Sequence, residues 1–101
     1  MSAADYTNEA QQRILRLLML LAGHELLGLV PSRIAVELQA SPSQVTRDLQ
    51  NLKTAGLAEL VQDTGGWRLA PRMVEVSVRH GVAMNRAQQK LDEIKNRFSR
   101  G

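Results

Sequence analysis

Residues 41–57 read SPSQVTRDLQNLKTAGL. On a helix, Val45, Leu49 and Leu52 fall on one face, and Gln44, Arg47, Gln50 and Asn51 point elsewhere. A face that only meets water usually carries Lys and Glu. This one carries amides, hydroxyls and a single Arg, groups suited to directional hydrogen bonding. No part of the chain is arranged for catalysis. It holds no paired carboxylates, nucleophile–base pair, phosphate loop or metal cluster. Cys is absent, which removes disulfides and thiolate metal sites. His24 and His80 lie far apart, and neither has a second His at ligand spacing. No catalytic residue, metal or cofactor is expected, and His24 reads as a solvated loop residue.

The elements that must position the 41–57 segment follow from periodicity and punctuation. With 101 residues and 44% hydrophobic composition, the chain is long enough for one domain and an appended helix. It has one Trp, one Tyr and one Phe, so its core is aliphatic. A core of this size is often helped by a partner chain. A first helix is predicted over residues 7–22, capped by Asp5 or Thr7. Ile14, Leu17, Leu18 and Leu21 form its inward stripe, and Leu15, Met19 and Ala22 add a second apolar strip. Gly23 ends it, and HELLGLV leads into a short extended piece at Leu29 and Val30. Pro31 and Ser32 open a second helix that buries Ile34, Ala35 and Leu38. After a short turn, a third helix starts at Ser41 or Pro42 and stops near Ala55, with Gly56 in the left-handed position. Two short apolar segments, 57–61 and 67–69, flank Asp-Thr-Gly-Gly and read as a hairpin. From Pro71 the chain returns to helix. VEVSV favours strand by propensity, but Met84, Ala87, Leu91, Ile94 and Phe98 step by three and four, and the pattern extends back to Ser77 and His80.

Three helices followed by a hairpin, with a short middle turn, is the order of a winged helix-turn-helix. The predicted fold is therefore mainly α, with a small β-hairpin wing and a long C-terminal helix. ELQASPSQVTRDLQNLKTAGLAEL resembles the DNA-binding segment of bacterial winged-helix regulators of the IclR, DeoR and MarR kinds. The pattern of those families is held here by Ala40, Ser41, Pro42-Ser43-Gln44, Val45, Thr46, Arg47, Leu49, Leu52 and Gly56-Leu57. GGWRLAP is similar to the return strand of the wing in the IclR kind. The likeness spans residues 14–71. It departs at Gln39, where the families often have Gly in the turn, so this turn needs either a strained residue or a different shape.

The resemblance implies a protein that binds double-stranded DNA and regulates transcription, as a repressor, with the helix at about 42–55 in the major groove and the wing at 57–69 on the backbone or minor groove. The residue chemistry agrees. Gln pairs with adenine edges and Arg with guanine, while Ser and Thr adapt to either. The expected DNA contacts are Ser43, Gln44 and Arg47 in the first turns, Asn51 one turn on, and Thr46 and Ser41 at phosphates. Arg68 on the wing and Arg33 at the start of the second helix complete the set. Trp67, with no second aromatic near it, is expected in the core. Asp48 either orients Arg47 or faces the core edge. Charge sharpens the contrast between halves. The chain carries +3 overall, and from Trp67 onward eight Arg and Lys meet three acids. A basic second half suits a polyanion partner or a plainly solvated helix face.

Residues 7–70 are expected to form the DNA-binding domain and residues 71–99 a dimerisation helix. Its seam would be Met84, Ala87, Leu91, Ile94 and Phe98, paired between two chains or folded back on the first helix. The ligand-sensing domain of IclR-type proteins is missing, so no small-molecule effector is expected. The start, MSAADYTNEA, lacks the basic region of a signal peptide, and Arg16, His24 and Glu25 interrupt the apolar stretch 14–30, so no membrane span and a cytoplasmic location are expected. The competing reading is a winged helix that serves as a protein–protein assembly module. Salt-dependent binding to any duplex would separate the two.

Overall fold

The structure, a computed structural model, describes residues 5–100, the Arg100 side chain excepted. It is mainly helical, in the order α1 (Glu9–Leu21), α2 (Pro31–Leu38), α3 (Pro42–Thr54), β1 (Ala58–Val61), β2 (Gly66–Leu69) and α4 (Pro71–Arg100). This is a winged helix with a long C-terminal helix, as the order of sequence signals predicts. Among the described residues no helix is long and apolar enough to cross a membrane.

Each boundary has a local cause. The first helix is shorter than the predicted 7–22, because Asn8 caps it rather than Asp5 or Thr7. Asn8 Oδ1 accepts from the Gln11 amide at 3.0 Å. Asp5 instead accepts from Thr7, at both its amide (2.9 Å) and its hydroxyl (2.7 Å), which holds the Asp5 carboxyl below its ordinary range. α2 opens with Pro31 in its first turn, where a missing N–H is harmless. α3 opens with a full capping box. Ser41 Oγ accepts from the Gln44 amide, and Gln44 Oε1 accepts from the Ser41 amide.

Between α2 and α3 stands Gln39 at φ 53°, the one non-glycine with positive φ among the described residues. Its amide donates back to Val36 O at 3.2 Å, closing the end of α2. The turn has kept its tight left-handed shape, and the side chain bears strain on the order of 1 kcal/mol that glycine would not.

The core lies where α1, α2 and α3 meet the hairpin. Leu17, Leu21, Ile34 and Val45 are fully buried, joined by Leu49, Leu52, Ala58 and Trp67. Trp67 is a core residue, as its isolation from other aromatics suggests. β1 and β2 pair antiparallel, with Glu59 opposite Arg68 and Leu60 opposite Trp67. A third extended piece joins them: Leu29 and Trp67 exchange both backbone hydrogen bonds, at 2.8 and 2.9 Å. That pairing brings Gly28 and Gly66 back to back. A Cβ on Gly66 would come within 2.6 Å of Leu27 O, and one on Gly28 within 2.7 Å of the Gly66 carbonyl carbon. Neither position admits a side chain. Thr64 locks the same corner, its hydroxyl donating to Leu27 O at 2.6 Å and accepting from the Gly66 amide.

α4 leaves this body. Met73 is half-buried, and from Val74 to Ser99 every residue is exposed. The helix is about 45 Å long at 1.5 Å per residue. It lifts the radius of gyration to 19.3 Å, against about 13 Å for a compact domain of this length.

Candidate nucleic-acid interface

α3 is amphipathic in an unusual way. Its inner face is Val45, Asp48, Leu49 and Leu52, all buried, at the i, i+3, i+4, i+7 spacing of a packed helix face. A carboxylate stands among them, 4% exposed. It is neutralised from α1: Arg13 Nε donates to Asp48 Oδ2 at 2.6 Å and Arg13 Nη2 to Asp48 Oδ1 at 3.0 Å. The side chains are 11% and 6% exposed. That hydrogen bond raises the Arg13 guanidinium above its ordinary value. Asp48 thus faces the core edge and does not orient Arg47. The two-pronged bond fixes the rotation of α3 against α1. Arg13 was not singled out from sequence. The signal was present, an acid on the buried stripe of α3, but its partner stands 35 residues away.

The outer face of α3 presents Ser43, Thr46, Arg47, Gln50 and Asn51 to solvent. Arg47 is exposed and, among the described residues, joins no ion pair. Asn51 Nδ2 donates to Arg47 O at 2.9 Å, and the Thr46 hydroxyl donates to Pro42 O at 3.0 Å. Gln44 is half-buried, with its oxygen engaged in the cap and its amide N–H free to donate. The structure therefore brings Ser41, Ser43, Gln44, Thr46, Arg47 and Asn51 together on one helix, from its cap to its third turn.

The two cations expected beside α3 are partnered. Arg68 Nε donates to Glu59 Oε1 at 2.8 Å across the hairpin, and its Nη1 donates to Glu25 O at 3.3 Å. Arg33 lies 3.8 Å from Glu37 on the exposed side of α2. Arg68 and Glu59 are both more than a third exposed, so solvent keeps that pair weak and a phosphate can compete for the guanidinium. Among the described residues no group of three or more His, Asp or Glu is arranged to hold a metal ion.

On α4, Met84, Ala87, Leu91, Ile94 and Phe98 form one exposed stripe, with Leu91 52% and Phe98 78% exposed. The stripe does not fold back on α1. The second strip of α1 is also exposed at Leu15, Met19 and Ala22.

No family profile matches the chain, and no curated protein does. Solved structures do. A point mutant of Lactococcus lactis ZitR superposes with a TM-score of 0.54 at 22% identity, covering 96% of this chain and 68% of that one. Wild-type ZitR in complex with DNA superposes at 0.51 with 24% identity, covering 96% of this chain and 66% of that one. The chain spans about two thirds of the length of these neighbours. At this identity the likeness establishes a shared fold.

Proposed function

We propose that this protein is a sequence-specific, double-stranded DNA-binding transcriptional regulator that acts as a homodimeric repressor. The observation that carries the reading is the outer face of α3. It combines an unpaired Arg47 with exposed hydroxyls and amides, on the helix that a winged helix-turn-helix presents to the major groove. In this reading Ser43, Gln44 and Arg47 meet base edges, Asn51 follows one turn on, and Ser41, Thr46, Arg33 and the wing residue Arg68 meet the backbone. The solved ZitR–DNA complex, a fold neighbour, supports duplex DNA as the partner class.

Residues 7–70 act as the DNA-binding unit and residues 71–99 as the dimerisation element. Surface area supports a second copy. The chain exposes 7911 Å², whereas a folded monomer of its 11.2 kDa mass exposes roughly 5,700 Å². The excess is of the size that obligate homodimers bury.

The experiment is selection of bound fragments from random duplex DNA, followed by titration of the winning site across salt. The reading expects an inverted-repeat site, since two-fold protein symmetry sets two recognition helices about one helical turn or a multiple apart. Absence of both salt-dependent duplex binding and an enriched site would favour the assembly-module reading.

A further inference from the structure

A polar cleft of 390 Å³ lies between the first half of α1 and the α2–α3 turn, reaching the start of α3 at Gln44. Its rim includes Glu9, Gln12, Arg13, Arg16 and Gln39. Arg13 is committed to Asp48. Arg16 is exposed and, among the described residues, joins no ion pair. Gln39 sits in left-handed backbone at φ 53° and contributes to the same rim. Glycine would hold that turn without strain, so the turn by itself gives no reason for a glutamine. A strained residue that lines a cleft beside a guanidinium without an ion-pair partner among the described residues has the form of a contact held for its side chain.

We propose that this cleft seats a phosphate of the DNA backbone next to the recognition helix, with Arg16 supplying charge and the Gln39 side-chain N–H a hydrogen bond. The proposal rests on the duplex-binding reading of α3. Guanidinium and amide donors match diester phosphate oxygens, and such a contact fixes register without reading sequence. Gln44 borders both the cleft and the groove-facing surface, so the phosphate would flank the bases that α3 meets. Glu9 on the rim opposes the anion and limits its affinity.

The test is binding to a fluorescein-labelled duplex of mixed sequence, followed by anisotropy across chloride concentrations, with thermal unfolding of the same samples. Arg16→Ala should weaken binding to every duplex and flatten the log–log salt slope by about one, and Arg16→Lys should keep the slope. Glu9→Gln should tighten binding. Gln39→Gly should raise the unfolding midpoint and yet weaken binding severalfold, a pair of opposite signs that a merely structural turn residue does not give. Wild-type affinity and slope in both Arg16→Ala and Gln39→Gly, while Arg47→Ala binds weakly, would remove the cleft from the DNA and leave the α3 reading standing. Failure of the wild-type protein to bind any duplex would overturn both. A free anion is the other source of the same chemistry. Saturable shifts of the Gln39 side-chain amide resonance with inorganic phosphate at constant ionic strength, without any effect of Arg16→Ala on duplex binding, would assign the cleft to a free anion and overturn the proposal.

Discussion

α3 and α4 are both amphipathic helices that begin at a proline, yet their apolar faces meet opposite fates. Val45, Leu49 and Leu52 of α3 are buried against α1, α2 and the hairpin. Leu91, Ile94 and Phe98 of α4, at the same kind of spacing, stay in solvent. Apolar periodicity states that a face is to be covered. It does not state by what. For α3 the cover lies within 50 residues on the same chain. For α4 the described chain offers none, since every residue from Val74 to Ser99 is exposed.

The largest expected effect tests that difference. Leu91→Asp should leave the winged body folded, because residue 91 touches none of it, but should abolish the dimer by placing a charge in the seam. Sedimentation should show a dimer for the parent protein and a monomer for the variant, with tight binding to an inverted repeat lost and weak half-site binding kept. A parent protein that stays monomeric at tens of micromolar would break the comparison, leaving α4 an exposed helix with another role.

The next effect falls on the other helix. Asp48→Ala would strand the Arg13 guanidinium at the edge of the core. Removing one partner of a buried pair costs about 3 kcal/mol or more, seen as a lower denaturant midpoint. The loss should shrink in the double variant Arg13→Leu with Asp48→Leu, because the uncompensated charge is then gone. Unequal effects of this kind on α3 and α4 would show that one helix stabilises the fold and the other the assembly.

How much of this was legible in the sequence follows the same division. Local signals were clear. Pro31, the Ser41–Pro42 start, Gly56 and the Asp-Thr-Gly-Gly turn each mark a boundary through the backbone conformation that one residue type favours. The cap of α1 was misplaced by one to three residues because Asp5, Thr7 and Asn8 are all competent caps, and tertiary packing decides between them. Arg13–Asp48 was missed because a contact across 35 residues leaves only a weak local trace, an acid on an apolar stripe. The Ser41–Gln44 box follows a Ser-x-x-Gln pattern, but from sequence Gln44 reads only as a base contact. The candidate site was legible as a face. Its division of labour was not, because the partners of Arg68 and Arg33 are set by strand register and helix rotation.

That overlap gives a sharper contrast between two neighbours on α3. Arg47→Ala should weaken specific binding by roughly 1–3 kcal/mol and relax base preference at one position, with the unfolding midpoint unchanged, because among the described residues the Arg47 side chain joins no ion pair. Gln44→Ala should weaken binding too, but should also lower stability by about 1 kcal/mol through loss of half the capping box. Paired titrations and melts of the two variants separate reading from capping. If Arg47→Ala binds the best selected site as the parent does, α3 is not the recognition helix.

The smallest expected effect asks which side of α4 receives the partner. Gly81 stands inside this helix with open space around it, so a Cβ there meets nothing within 4 Å. Glycine weakens a helix interior relative to alanine by up to about 1 kcal/mol, and α4 has little packing to mask the difference. Gly81→Ala should therefore raise helicity by circular dichroism and modestly strengthen the dimer. The reason lies in the face it occupies. At 100° per residue Gly81 lies about 20° from Val74 and about 60° from both Val78 and Met84, so it flanks the Met84, Leu91 and Phe98 stripe without standing in it. An added methyl at this flank meets nothing within 4 Å and leaves the stripe's own side chains unchanged. If Gly81→Ala instead weakens self-association while helicity rises, the methyl has met a second chain. The dimer would then close over the edge of α4 that holds Val74 and Gly81, with Gly81 as the point of close approach, and the seam would be centred there and not on the Met84-to-Phe98 stripe.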